Sequence, residues 1–380
     1  MEERELPHII QSKSAPAFDS VEFALENELP AAKCSWFPKW VPTSGLDLAQ
    51  AEGRLLQAVD AKIQRKFVPV SKGQVWTAII NRLPADIEDN SATEKTPLVL
   101  LHGFGGGLAL WMNNLSALCA NRTVYAVDVL GFGRSSRPKF SSDAGLVELE
   151  WVESLEDWRK HMGIEKMILL GHSMGGFLVS SYALEYPQHV RHLILADPWG
   201  FPPKPPNDEI TFRGRKPSRW LRTVASVLST FNPLAGVRAA GPLGPRLVRR
   251  ARPDLGVRYA SERVAQDTIF DYIYHCNAQK PSGETAFRQL LDSIIWSKRP
   301  MRDRLIGADP SIPISFLYGE ITWMDKAPAT VIQSGRSGSH VTIAIVDNAG
   351  HQVFADNPDH FNQLVSDICT LVDTDGDRPL

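Results

Sequence analysis

No apolar run in the 380 residues approaches the ~18–20 that a membrane-spanning helix needs. The first residues, Met1-Glu2-Glu3-Arg4-Glu5, are charged and lack the apolar stretch of a secretory leader, so the expectation is a cytoplasmic chain. Cysteine is scarce. Cys34, Cys119, Cys276 and Cys369 are far apart and form no C-x-x-C pair, which argues against a disulfide scaffold or zinc ribbon and for reduced thiols. Neither sign of charge dominates: 41 Lys and Arg stand against 43 Asp and Glu, so global charge does not suggest nucleic acid. Repeats and long low-complexity tracts are absent. A hydrophobic fraction of 43% and a charged fraction of 22% are ordinary for a globular chain.

The chemistry that is present begins at Gly171-His172-Ser173-Met174-Gly175. This G-x-S-x-G follows the apolar run Lys166–Leu170 and precedes a helical pattern, the setting of the nucleophile elbow of an α/β-hydrolase. The chain must reverse sharply at the serine, so bulk at 171 or 175 would collide with the turn. The turn lifts the serine oxygen above a helix N-terminus whose free N–H groups face a developing oxyanion. A second half of an oxyanion hole is offered by Leu98-Val99-Leu100-Leu101 running into His102-Gly103-Phe104-Gly105-Gly106-Gly107. The N–H groups of Phe104 and Met174 are the expected donors, and loss of such a donor costs roughly 3 kcal/mol.

The base is His351, on a loop after the strand pattern Thr342–Val346, in the setting Asn348-Ala349-Gly350-His351. The acid is less sharply marked. The usual place, three residues after the glycine of Leu317-Tyr318-Gly319, is Thr322, which cannot orient an imidazole as a carboxylate does. Asp325 is the first choice and Glu320 an alternative. Asp197, at the end of Leu193-Ile194-Leu195-Ala196, is another, although it also reads as a turn residue before Pro198.

Strand patterns at 97–101, 123–128, 167–170 and 192–196 alternate with helical stretches, one of them around 147–162. A hairpin reads at 67–82, and strands resume at 312–318 and 341–346. The expected fold is an α/β-hydrolase with a mostly parallel eight-stranded sheet and a helical lid inserted after strand six. The division is an N-terminal arm at 1–65, a core at 66–201 and 306–380, and the lid at 202–305. Between Thr211 and Pro253 the lid carries ten Lys or Arg and no acid, with apolar residues interleaved. That suits an anionic amphiphile, with Arg249 and Arg250 as phosphate-binding candidates; a solvated basic face is the plainer alternative. In the arm, Trp36, Phe37 and Trp40 lie between prolines and suit a lipid–water interface; packing against the hydrolase body is the alternative.

The runs from Gly171 to Phe177, from Arg191 to Pro202 (with Asp197-Pro198-Trp199-Gly200-Phe201-Pro202), from His351 to Asp356, and the arm from Trp36 to Ser44 resemble the α/β-hydrolase-domain-containing proteins 4 and 5. The resemblance covers about residues 33–375. It implies, from type 4, lysophospholipase action on N-acyl phosphatidylethanolamines. From type 5 it implies peripheral residence on lipid droplets, activation of a separate triacylglycerol lipase alongside a droplet-coat protein, and acylation of lysophosphatidic acid. Vertebrate type 5 proteins lack the elbow serine, which this chain keeps as Ser173. It departs from type 5 at Ile321, an arginine there, and agrees with it at Gly350. The expected substrate is a phospholipid or acylglycerol, at a droplet or membrane surface, with no metal and no redox cofactor. His351-x-x-x-x-Asp356 also matches an acyltransferase pattern, although Asp356-Asn357-Pro358 reads equally as a helix start.

Overall fold

In a computed structural model, the strand patterns assemble into one eight-stranded sheet. The structure describes residues 40–81, 95–206, 234–292, 296–336 and 338–374. They belong to the unit Val41–Leu380, except Trp40, which falls in the unit Met1–Trp40. The strands are β1 (Lys62–Val70), β2 (Gly73–Asn81), β3 (Leu98–Leu101), β4 (Val124–Val127), β5 (Met167–His172), β6 (Val190–Ala196), β7 (Ile314–Gly319) and β8 (Val341–Val346). Their order is β1-β2-β4-β3-β5-β6-β7-β8. The β1–β2 and β2–β4 pairs are antiparallel and all others parallel. β1 starts five residues before the sequence pattern does. Its Lys62-Ile63-Gln64-Arg65-Lys66 is mostly exposed and charged, as suits a sheet edge, and pairing rather than apolar alternation makes it a strand.

The parallel strands are buried throughout in β3, β5 and β7, because helices cover both faces. Side chains alternate between the faces with period two. Leu98, Leu100, Ile168, Leu170 and Ile194 point one way, and Val99, Leu101, Leu169, Leu193 and Leu195 the other. The helices are α1 (Gly45–Leu56), α2 (Met112–Leu118), α3 (Ala144–His161) and α4 (Met174–Glu185) before β6 ends. Between β6 and β7 come α5 (Ala235–Ala239), α6 (Gly244–Ala251), α7 (Asp254–Tyr259), α8 (Thr268–Ala278), α9 (Gly283–Leu290) and α10 (Met301–Ile306). Then follow α11 (Ala327–Gly335), α12 (Val353–Asp356) and α13 (Pro358–Thr374). α1, α2, α8 and α13 pack on the first face, and α3, α4, α10 and α11 on the second.

The described part of 202–305 is helical and carries no named strand, in keeping with an insertion after strand six. Its residues 207–233 lie outside the described residues. The arm needs a correction. α1, placed within it on sequence, belongs to the body: Leu48, Ala51 and Leu55 are fully buried in the first-face core. The helix buries one apolar stripe against the sheet, which ties it to the body. Ser44 caps this helix through Asp47 N–H.

Candidate active site

Parallel strands deliver their C-terminal ends to one edge of the sheet, and loops there gather the chemistry. β5 ends at His172, and Ser173 turns the chain into α4 with φ 52° and ψ −117°. That backbone region is strained by about 1–3 kcal/mol for a residue with a side chain. Its neighbours must be glycine. A Cβ on Gly171 would lie 2.3 Å from Gly175 O, and one on Gly175 would lie 2.5 Å from Leu101 O. The turn is clamped on both sides: Ser173 N–H donates to Ala196 O and Trp199 N–H donates to Ser173 O, each at 3.1 Å.

His351, five residues past β8, brings Nε2 to 3.1 Å from Ser173 Oγ. Its Nδ1 lies 2.6 Å from Asp197 Oδ2. Asp197 is fully buried, at the end of β6, with φ 46°. The carboxylate also accepts from Thr322 Oγ1 at 2.6 Å and from Gly319 N–H at 3.3 Å. Met324 N–H donates to Thr322 Oγ1 at 3.1 Å, so the threonine hydroxyl is left to donate toward Asp197. Since Asp197 accepts, His351 carries its proton on Nδ1 and presents a lone pair at Nε2 to the serine hydroxyl.

The carboxylate beside His351 is therefore Asp197 and not Asp325, the first choice on sequence. Asp325 is exposed and accepts from Ala327 N–H (3.0 Å) at the start of α11. Glu320 accepts from Asn348 N–H at 2.8 Å and braces the loop after β8. The physical reason is the pairing of β6 with β7, Ala196 beside Leu317, which sets the ends of both strands under the histidine loop. Thr322 occupies the usual acid position and donates to a carboxylate arriving from the adjacent strand.

Two further histidines, not singled out on sequence for a role, support this arrangement. His172 is buried, and its Nε2–H donates to the backbone carbonyl of His351 at 2.8 Å. Burial first, and then the neighbouring His351, hold its pKa well below the usual histidine range. His102 donates from Nδ1 to Gly103 O (2.8 Å) and accepts at Nε2 from Val129 N–H (3.0 Å). Burial pushes its pKa down to about 4, so it stays neutral and shapes the loop that carries Phe104. The signal available for both was position: one precedes the elbow serine and the other the glycine cluster. Phe104 lines the same cavity as Ser173, and Met174 opens α4, where its N–H has no partner within the helix.

Asp356 does not face His351. Its Oδ2 accepts from Gly350 N–H at 2.8 Å and its Oδ1 meets Arg258 Nε at 2.7 Å. Burial raises its pKa. The His-x-x-x-x-Asp spacing thus braces a loop and does not form a His–Asp pair.

Above Ser173 lies a cavity of about 260 Å³, with Phe104, Trp199, Phe287, Trp323 and Phe354 among its walls. Trp323 stands with its ring centroid 5.1 Å from that of His351 and is 60% exposed. The phosphate candidates Arg249 and Arg250 do not line it. Both are exposed on α6, and Arg249 pairs with Asp267 at 3.2 Å. The arginine on the wall is Arg252, one position past the end of that helix. Of the arm, Trp36 and Phe37 lie outside the described residues, and Trp40 is 67% exposed. Among the described residues no helix is long and apolar enough to cross a membrane.

Comparison with known proteins agrees with the architecture. A family model for the α/β hydrolase fold matches residues 96–358. Human 1-acylglycerol-3-phosphate O-acyltransferase ABHD5 is 48% identical over 332 residues, 87% of this chain and 92% of that protein. Human (lyso)-N-acylphosphatidylethanolamine lipase is 46% identical over 333 residues, 87% of this chain and 94% of that one. Among solved structures, carboxylesterase CesB (YbfK) from Bacillus subtilis superposes with a TM-score of 0.59 at 20% identity, covering 85% of this chain and 96% of that one. A bacterial membrane phospholipase A gives 0.59 at 21% identity, covering 86% and 91%. At such identities the two structures speak to the fold alone.

Proposed function

The chain belongs to the α/β-hydrolase fold family, and we propose that within it this protein is a serine lipase acting on the acyl esters of glycerophospholipids and lysophospholipids. One observation carries the reading: the continuous hydrogen-bonded line from Ser173 Oγ through His351 to a buried carboxylate, Asp197. In this mechanism Ser173 Oγ attacks the ester carbonyl carbon while His351 Nε2 takes the hydroxyl proton. Asp197 holds the imidazole in the Nδ1–H tautomer and offsets the positive charge it gains. The N–H groups of Phe104 and Met174 receive the oxyanion. His351 then passes the proton to the leaving alkoxide, which departs as the lysolipid or glycerol alcohol. Water, deprotonated by His351, releases the fatty acid from the acyl-serine.

A lysolipid hydroxyl can replace that water. The acyl group then moves to the hydroxyl oxygen, and the reaction is a transfer. Similarity to the O-acyltransferase favours this second outcome, and the proposal routes it through the same serine, since Asp356 is engaged with Gly350 and Arg258. Similarity to the N-acylphosphatidylethanolamine lipase favours the phospholipid substrate. A peripheral position on a droplet or membrane surface, with the tryptophan arm as the contact, belongs to the same proposal. The test is labelling with a fluorophosphonate probe and turnover of a glycerophospholipid. Ser173→Ala is expected to abolish both while thermal unfolding stays near that of the wild type. Equal turnover in the alanine variant would refute the reading.

A further inference from the structure

The wall of the serine cavity carries, among the described residues, one guanidinium and no carboxylate. That guanidinium, Arg252, is held in a fixed pose. Its Nε and Nη2 donate to the two oxygens of Asp254 at 3.0 and 2.9 Å. The fork uses two of five N–H groups, so three remain for a ligand. Asp254 is shared with Arg258, which meets Asp356, and Asp356 accepts from Gly350 N–H beside His351. The arginine is thus tied to the loop of the base by alternating charges, and the tie leaves its outer edge free of that work.

We propose that Arg252 is the residue that selects the head group, taking the phosphate of a monoacyl glycerophosphate whose ester carbonyl lies at Ser173. A phosphate presents pairs of oxygens that match the planar fork of a guanidinium, and the bonds are charge-assisted. The aromatic walls, Phe104, Trp199, Phe287 and Trp323, suit the glycerol ester and the start of the acyl chain. A neutral monoacylglycerol of the same chain fits the same walls and lacks the group that Arg252 reads. Arg252 differs from the rest of the basic lid in this respect. Arg249 and Arg250 attract an anionic lipid at a distance, which salt screens over ~8 Å at physiological strength. Arg252 makes a contact, which salt weakens much less. The proposal rests on the serine-ester reading above, and its test keeps the two apart.

The experiment compares wild type, Arg252→Gln and Arg252→Lys on 1-oleoylglycerol 3-phosphate and on 1-oleoylglycerol, at low and high salt. Arg252 is 44% exposed at its side chain, and Asp254 keeps Arg258 when it is lost, so the fold is expected to hold; circular dichroism checks this. The glutamine variant is expected to lose about tenfold or more in kcat/KM on the phosphate ester, chiefly through KM, at both salt concentrations. Turnover of the neutral ester should stay within about twofold, and lysine should recover part of the loss. Equal loss on both esters, or no selective loss, overturns the assignment. A binding arm needs no turnover. Calorimetry on Ser173→Ala measures 1-oleoylglycerol 3-phosphate and, separately, inorganic phosphate. Weaker binding of the lipid when Arg252→Gln is added supports the assignment, and unchanged binding overturns it. Binding of inorganic phosphate alone, with none of the lipid, also overturns it. If the wild type labels with no probe and cleaves neither ester, the serine-ester reading falls, and the binding arm still decides Arg252.

Discussion

Exchange of Asp197 for asparagine should be the most damaging carboxylate substitution in the chain. The buried side chain faces three donors: Thr322 O–H, His351 Nδ1–H and Gly319 N–H. Asparagine offers one acceptor oxygen. Turned one way, its NH₂ meets Gly319 N–H, and the charge that balances the imidazolium is gone. Turned the other way, its NH₂ meets His351 and Thr322. The imidazole must then accept at Nδ1, which puts the hydrogen on Nε2, where it can no longer take the serine proton. Such an exchange in a Ser–His–Asp site costs about 10⁴-fold in kcat. That corresponds to about 5 kcal/mol of transition-state stabilisation. Asp325→Asn should change activity by less than about twofold, because the asparagine Oδ1 accepts the Ala327 N–H as the aspartate does. The assay is hydrolysis of a short-chain nitrophenyl ester, with the rate of fluorophosphonate labelling as a second readout. Thermal unfolding confirms that each variant is folded. The assignment fails if Asp325→Asn is the more damaging, or if Asp197→Asn keeps more than about a tenth of wild-type activity.

Thr322→Val removes the hydroxyl that donates to Asp197, and activity should fall about tenfold with little change in unfolding temperature; an unchanged labelling rate would show that the bond is dispensable. Asp356→Asn loosens the loop through Gly350 and Arg258, so hydrolysis and acyl transfer should fall together; a loss of transfer alone, read from the product ratio, would restore the His–Asp pair as a transfer device. His192 is buried against Ser315 Oγ, and burial pushes its pKa from 6.5 to about 3. The unfolded chain therefore binds a proton between those values that the folded chain refuses, so stability is lost as pH falls from about 6.5 toward 3. The stability advantage of wild type over His192→Asn should shrink across that window by about 1.4 kcal/mol per pH unit, measured by urea unfolding. A gap independent of pH would mean that His192 takes a proton in the folded state as readily as in the unfolded one.

The sequence by itself determined what depends on local pattern. Glycines at 171 and 175 around a serine, between an apolar run and a helix, announce a turn whose backbone crowding excludes side chains. Strand rhythm announced the parallel sheet, since buried strands read as apolar runs. A histidine after the last strand needed only its chain position. Nothing local marked the acid. Three carboxylates stand near strand ends, and sequence ranks them by habit of position. The choice is made by the lateral pairing of β6 with β7, which carries Asp197 beneath His351 and next to Thr322. The same holds for the segment between β6 and β7. Its arginines are alike as letters. Arg252, one position past α6, lies on the cavity wall, while Arg249 and Arg250 stay exposed on the helix. In both cases the deciding contact joins residues distant in the chain, and only the packing of the folded protein sets that distance.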